Sequence, residues 1–339
     1  MRRFVVLLAA LLALAAPAQA AKKPPVSWAQ AQIEAVVGAG LMAPRVAEFR
    51  PGDPLTRGEL DELLTLLGKP PAVPAADASQ PVKLRELDAA LVRALGLTKA
   101  AKRFRSALVA AGLNPPAYAG VEIVARLLGL RTNHPQADDP IEVGPASTVN
   151  RAEAAYSVAR WLDASWTGFD DVVAGQASSF ALPALTEWQA RVLDRAVRFV
   201  GYPYIWGGSS ERTQRPFGVK VPGGFDCSGF VWRVYKLEPF EGAPALADTL
   251  QGRTTYEMSR EVVKALRIPF DQIQPGDVLF FGERGPKSKP GQIGHMGIAL
   301  GGGWMIHSSS RGTTVASLEG WYTERFAWAR RPLAEAGLE

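Results

Sequence analysis

The chain has 339 residues, 47% of them hydrophobic and 21% charged, which fits folded soluble domains and is long enough for two of them. Its net charge of +5 comes without clusters of basic and aromatic residues; this argues against a nucleic-acid surface and leaves attraction to an anionic cell wall as a weaker reading beside plain solubility. Cysteine occurs once, at Cys227, and histidine three times, at His134, His295 and His307, so an intramolecular disulfide framework is excluded and any thiol chemistry rests on one residue.

Met1-Arg2-Arg3 precedes an apolar run over residues 4–16 and the small-residue string Pro17-Ala18-Gln19-Ala20. This is the charged, apolar, cleavable order of a signal peptide, so residues 1–20 are expected to be removed and the mature protein secreted to the cell wall or beyond. The run is too short to cross a bilayer and no later stretch is long enough, so no membrane span is expected. A lone thiol outside the cytoplasm is either buried and inert or kept for its reactivity.

Residues 21–165 carry a helical pattern. Ser27 is a candidate N-cap for a first helix with Ala29, Ile33, Val36 and Val37 on its apolar face, stopped at Gly38-Ala39-Gly40-Leu41. After the turn Phe49-Arg50-Pro51-Gly52-Asp53-Pro54, Thr56 and Glu59 fit a capping box. Similar strings recur: Glu86-Leu87-Asp88 repeats Glu59-Leu60-Asp61, and Val149-Asn150-Arg151-Ala152-Glu153 echoes residues 55–59. Gly40-Leu41, Gly112-Leu113 and Gly129-Leu130 end helices, and residues 70–81 form a Pro/Ala-rich connector, so a degenerate helical repeat is expected. Met42 and the Leu and Val stripes belong to a core, and His134, beside Pro135, to a surface loop.

Thr56-Arg57-Gly58-Glu59 and Asn150-Arg151-Ala152-Glu153, with the turn at 49–53, resemble surface-layer homology repeats. Those modules hold proteins to bacterial cell-wall polymers, so the resemblance implies a wall-polymer partner for residues 21–165. The plainer reading is that Arg57, Glu59, Arg151 and Glu153 cap and solubilise helices.

Residues 166–185 carry Gly, Ser and Asp and are expected to be a linker. A helix follows over about 186–200, and the chain to residue 334 mixes one further strong helix with short strands. In that helix, residues 225–235, Asp226 is the expected N-cap and Cys227 lies in the first turn, where backbone N–H groups and the helix dipole favour a thiolate. His295-Met296-Gly297-Ile298-Ala299-Leu300 and Trp304-Met305-Ile306-His307 flank Gly301-Gly302-Gly303, a hairpin signature. A loop with an odd number of residues places His295 and His307 on one face, and an odd loop is expected. Cys227 then reads as nucleophile, His295 as its base and later acid, and His307 as the group that sets the His295 tautomer; the Cys227 N–H is an oxyanion donor.

Five strings occur in order: Tyr202-Pro203-Tyr204-Ile205-Trp206-Gly207-Gly208, Phe225-Asp226-Cys227-Ser228-Gly229-Phe230-Val231, Gln274-Pro275-Gly276-Asp277-Val278-Leu279-Phe280-Phe281, Gly294-His295-Met296-Gly297-Ile298-Ala299 and Met305-Ile306-His307. Together they resemble the NlpC family of bacterial cell-wall cysteine peptidases, over residues 186–334. The resemblance implies an α+β fold: a papain-like core with a cysteine-bearing helix packed on an antiparallel sheet, preceded here by an all-α repeat domain. It implies hydrolysis of peptidoglycan stem peptides, often between γ-D-glutamate and a diamino acid, with no cofactor or metal, and Tyr204, Asp226 and Ser228 on the substrate side. Asp226 would bind a substrate amine, a role compatible with capping. Arg253 sits where the family often has Leu-Pro-Arg, but Gln251-Gly252 precede it here and leave its role open. Residues 209–224, with Arg212, Arg215 and Lys220, and 282–293, with Arg284, Lys287 and Lys289, are long for the family and are expected to flank the cleft.

Three other readings stand beside this one. One Cys and two His are legitimate zinc ligands. The same thiol fold could serve an amidase or acyltransferase. The chain could also be a non-catalytic wall-binding protein.

Overall fold

The structure is a computed structural model that describes residues 27–131 and 143–339, so the expected signal peptide and His134 lie outside it. The first half is helical: α1 (Gln30–Gly38), α2 (Arg57–Leu66), α3 (Leu84–Ala94), α4 (Thr98–Ala110), α5 (Ala119–Leu127), α6 (Arg151–Leu162) and α7 (Phe169–Ser179). Thr56 and Glu59 close the capping box at the start of α2. Ser27, expected as the first cap, is not one. Ala29 holds the cap position of α1, and the Ser27 hydroxyl accepts from the Ala29 N–H at 3.3 Å. Burial of Ala29 and packing of Trp28 on Tyr156 draw that turn inward. At the far end of α1, Gly40 takes φ 75° and lets the Leu41 N–H reach the Val36 carbonyl at 2.9 Å, which ends the helix.

The recurring strings meet in space. Leu55 N–H donates to the Val149 carbonyl (3.0 Å), Val149 N–H to Val82 (3.0 Å) and Val82 N–H to Leu55 (2.8 Å), a closed ring of three repeat starts with all three side chains buried. Each repeat also presents a glutamate to a guanidinium: Glu59 to Arg151, Glu86 to Arg57 at 3.2 Å, and Glu153 to Arg131 at 3.0 Å. The second repeat has Leu84 where the others have Arg57 and Arg151, and Arg131, which also bonds Asp88 at 3.0 Å, supplies the missing cation. Arg57, Glu59, Arg151 and Glu153 therefore join repeats as well as capping helices.

Residues 166–185, expected as a linker, hold α7 instead. Trp166, Val173, Ala177 and Phe180 are buried, and the Phe180 ring sits 4.9 Å from both Phe104 on α4 and Trp304 of the following sheet. One continuous apolar core therefore runs from the helical repeats into the second half.

That half begins with α8 (Glu187–Val197) and continues with β1 (Ser209–Ser210), β2 (Gly224–Phe225), α9 (Cys227–Tyr235), α10 (Ala245–Asp248), α11 (Thr255–Glu261), β3 (Val278–Gly282), β4 (Ile293–Gly301), β5 (Trp304–Ser309), β6 (Gly312–Ser317), α12 (Trp321–Arg325) and β7 (Phe326–Arg330). β3–β7 form an antiparallel five-stranded sheet in the order β6-β5-β4-β3-β7. Strand alternation sends Phe280, Met296, Ile298, Ile306 and Trp328 into the core that includes Phe230 and Val231 of α9. Leu279, Phe281, Ala299, Met305 and Phe326 form a smaller core on the opposite face, with Tyr322 of α12 packed against it. The architecture is α+β: a cysteine-bearing helix packed on an antiparallel sheet, after an all-helical region. Among the described residues no helix is long and apolar enough to cross a membrane.

Candidate active site

Asp226 organises the start of α9. It takes extended φ/ψ of −80° and 175°, and one carboxylate oxygen accepts the Gly229 N–H as an N-cap. The same oxygen accepts the Ser228 hydroxyl at 3.1 Å and Arg253 at 3.2 Å, and the other accepts the Gly207 N–H at 2.9 Å. Arg253 also donates to Ser228 Oγ at 2.8 Å and to the carbonyls of Gly207 and Gly208. Asp226 thus joins the Tyr204–Gly208 turn to the helix start, and Arg253 clamps both. Gly229 has to lack a side chain, because a Cβ there would lie 1.9 Å from the Gly208 carbonyl oxygen.

The Cys227 thiol, on a residue only 8% exposed, rests against β4, the central strand of the sheet. It meets the N–H groups of Met296, Ser228 and Cys227 itself. Met296 follows His295 on β4, so the sulfur lies against the strand segment that carries that histidine. The paired register of β4 with β5 stops at Ile298–Ile306, short of Met296. Helix α9 starts at this opening, where the Ser308 hydroxyl of β5 donates to the Phe225 carbonyl at 2.7 Å.

The hairpin reaches the expected histidine geometry by a different route. Its turn is the two residues Gly302-Gly303, an even loop, and a bulge between Ala299 and Gly301 shifts the register by one. The extra residue restores the parity of an odd loop, and His295 Nε2 lies 2.7 Å from His307 Nδ1. Gly297 sits opposite His307, where an added Cβ would come within 3.0 Å of the His307 Cβ. The bond commits Nε2 of His295 and leaves Nδ1 as its nitrogen for a thiol proton. If Nε2 carries the hydrogen, His307 is protonated on its own Nε2, an assignment from hydrogen-bond accounting. Phe281, Trp321 and Tyr322 surround the pair, with ring centroids 5.8, 6.4 and 6.2 Å from His295.

Electrostatics hold these groups neutral. Burial pushes the Cys227 thiol up to about 12; the Asp226 carboxylate adds to this, and the three N–H groups oppose it. Burial pulls His295 down to about 4. Burial, then His295 and Arg311, hold His307 well below the usual imidazole range. Burial raises the Tyr204 phenol, and a backbone bridge between Tyr204 and Phe225 sets it next to the start of α9.

Of the residues singled out by sequence, Cys227, Asp226, Ser228 and Tyr204 share the helix start, and His295 and His307 share one sheet face. Arg212, Arg215, Lys220, Arg284, Lys287 and Lys289 are all exposed. Sequence reasoning left Arg253 open and did not single out Trp321, Tyr322 or Ser308. The adjacent aromatics after Gly320 were the available signal for the first two.

Residues 201–331 match the NlpC/P60 family model. This segment is an NlpC/P60 domain. Residues 23–60 match the S-layer homology domain. Relatives of the NlpC/P60 segment include the gamma-D-glutamyl-L-lysine dipeptidyl-peptidase of Bacillus subtilis (29% identical, 42% of this chain and 41% of that protein). Another is the murein DD-endopeptidase MepH of Escherichia coli (32% identical, 43% of this chain and 46% of that protein). The chain spans less than half the length of these curated relatives. A crystal structure of an NlpC/P60 family protein from Bacillus cereus aligns at 28% identity, over 46% of this chain and 43% of that one, with a TM-score of 0.32.

Proposed function

We propose that the protein is a secreted peptidoglycan hydrolase that cleaves stem peptides, at the γ-D-glutamyl–diamino acid bond, by a thiol mechanism using Cys227, His295 and His307. The observation that carries this reading is the 2.7 Å contact between His295 Nε2 and His307 Nδ1, which leaves Nδ1 for a thiol seated against the next residue of the same strand. The names of the relatives support the substrate class.

With thiol and imidazole both neutral at rest, proton transfer accompanies attack. As Cys227 Sγ bonds the scissile carbonyl carbon, its proton passes to His295 Nδ1, and the Cys227 N–H stabilises the oxyanion. His307 accepts the hydrogen bond from His295 Nε2–H and steadies the imidazolium. His295 then gives its proton to the leaving amine as the C–N bond breaks, leaving a thioester. Water, deprotonated by the same nitrogen, cleaves the thioester and restores the thiol. Tyr204, Asp226 and Ser228 line the acyl side, where Asp226 receives a substrate amine while remaining clamped by Arg253.

The helical region holds the enzyme to a wall polymer in this reading. A cavity of about 550 Å³ between repeats, lined by Arg50, Glu59, Glu62 and Arg151, is a polar site for it.

Digestion of purified muropeptides with product analysis tests the proposal. Release of fragments with a new diamino acid amine, abolished by a thiol alkylator and insensitive to a chelator, is expected. Chelator sensitivity would favour a zinc site, although among the described residues no group of three or more His, Cys, Asp or Glu is placed to hold a metal. Cleavage at a sugar–peptide amide or transfer to a second amine would instead identify an amidase or acyltransferase. No turnover, with retained binding to sacculi, would leave a wall-binding protein.

A further inference from the structure

We propose that a cavity between α8 and the far end of α9 binds a phosphate group, at a site separate from the thiol. The cavity measures about 390 Å³ and four arginines line it: Arg191 and Arg195 on α8, Arg198 at the end of that helix, and Arg233 on α9. Cys227, His295 and His307 do not line it. Arg233 follows Cys227 by six residues, which turns it about 120° around the helix and sets it about 9 Å along. Phosphate binding there stands apart from the hydrolase reading.

Asp194, Glu211 and Glu238 also line the cavity, and all three are engaged. Asp194 pairs with Arg198 and accepts the Asn114 N–H at 2.7 Å. Glu211 accepts Nε and Nη2 of Arg233 at 2.8 and 3.0 Å, and Glu238 meets Nη1 of the same guanidinium at 2.9 Å. Arg198 and Arg233 therefore take up the carboxylates. Arg191 and Arg195 form no ion pair among the described residues, and they stand one helical turn apart, where like charges repel. Burial pulls the Arg195 guanidinium down to about 10, Glu238 raises it, and the charges at Arg233, Arg198 and Arg191 lower it further. It stays charged at neutral pH, so two cations face the cavity with no carboxylate in contact.

Both guanidiniums are held in place. Arg191 lies over the Trp188 ring at 4.1 Å from its centroid, and Arg195 over Phe240 at 3.4 Å. Arg191 Nη2 donates to the Glu241 carbonyl at 2.7 Å, and Arg195 Nη1 donates to the Val234 carbonyl at 2.9 Å and to that of Glu238. The last two bonds give Arg195 a structural part as a cation closing the end of α9. Its Nε and Nη2, with Nε and Nη1 of Arg191, still have no hydrogen-bond partner among the described residues. Ring and carbonyl fix each fork in advance, which lowers the ordering cost of binding. A carboxylate has two oxygens, enough for one fork. A phosphate presents oxygens in tetrahedral directions and up to two negative charges, so it can answer both forks at once.

The test is calorimetric titration of inorganic phosphate into the full chain at low ionic strength, in wild type, Arg191→Gln and Arg195→Gln. Lys287→Gln, at an exposed lysine outside the cavity, removes the same charge as a control. Thermal midpoints without phosphate report whether each variant is folded, and Arg191→Gln carries the test if loss of the α9 contacts unfolds Arg195→Gln. We expect saturable binding, weakened about tenfold or more by either arginine substitution and unchanged in Lys287→Gln. Failure of wild type to bind, binding unchanged in Arg191→Gln, equal weakening in the control, or acetate binding as tightly as phosphate overturns the proposal. Glycerol 3-phosphate and a short poly(glycerol phosphate) distinguish the source of the group. Tighter binding of the polymer assigns the site to a phosphodiester chain, and the reverse order assigns it to a free phosphate or phosphomonoester.

Discussion

The helical region and the NlpC/P60 domain both pair most of their buried charges, as with Arg330 and Glu335 in the second, but the thiol and the two rings of the candidate site are an exception. In the helical region Arg131, 1% exposed, meets Asp88 and Glu153, and Arg151, 4% exposed, meets Glu59, so each buried cation has a carboxylate beside it. In the NlpC/P60 domain Cys227 and His307 are buried and His295 is half-buried, neither ring has an ion pair among the described residues, and loss of solvation holds all three neutral. Paired buried charges join repeats, whereas the two neutral rings, in contact at 2.7 Å, are free to take up a proton.

The largest effect that sharpens this contrast is at the thiol. Cys227→Ser should lower muropeptide turnover by about a thousandfold or more while leaving the thermal midpoint near wild type, measured by product chromatography and by calorimetry. Retained turnover would remove Cys227 from the mechanism. His307→Ala comes next, with an expected loss of about a hundredfold in kcat, and His307→Asn should recover part of it by again accepting from His295 Nε2. If the two variants behave alike, the His307 contact has no orienting role.

Arg131→Met probes the other side of the comparison. It strands Asp88 and Glu153 in the core and should cost about 3–5 kcal/mol of stability, read by urea unfolding, with activity per folded molecule unaltered. A neutral result would mean that Arg131 adds nothing beyond its packing. The smallest effect is the pH dependence. His295 and His307 have folded-state values below the unfolded value of about 6.5, so the unfolded chain binds more protons between the two. Their contribution to stability is full above about pH 6.5 and is lost as pH falls toward about 4. The acid limb of kcat/KM should also lie below pH 6.5, since the proposed mechanism needs His295 neutral to act as base. Unfolding curves from pH 4 to 7 should slope in wild type and flatten in His307→Asn.

Much of this was legible in the chain because it is local. Asp226 caps a helix three residues on, Thr56 and Glu59 close a box within one turn, and the repeat strings resemble one another letter by letter. The 166–185 segment was misleading because its Gly, Ser and Asp content outweighed a weak apolar stripe at Phe169, Val173, Ala177 and Phe180. That stripe becomes a helix face only because Phe104 and Trp304 are there to cover it. Arg253 was illegible for a similar reason: its partners lie 25 to 46 residues away in sequence.

The chain's own order of residues settled where helices such as α2 and α9 begin, that a single sulfur stands in the first turn of one of them, and that two imidazoles share a glycine hairpin. Those outcomes need only neighbours within a turn or a strand pair. The folded molecule decided the rest: the bulge that turns both rings to one face, the guanidinium that clamps Asp226, and the neutrality of thiol and rings. Each depends on how much water is excluded by segments far apart in sequence, and only their packing fixes that quantity.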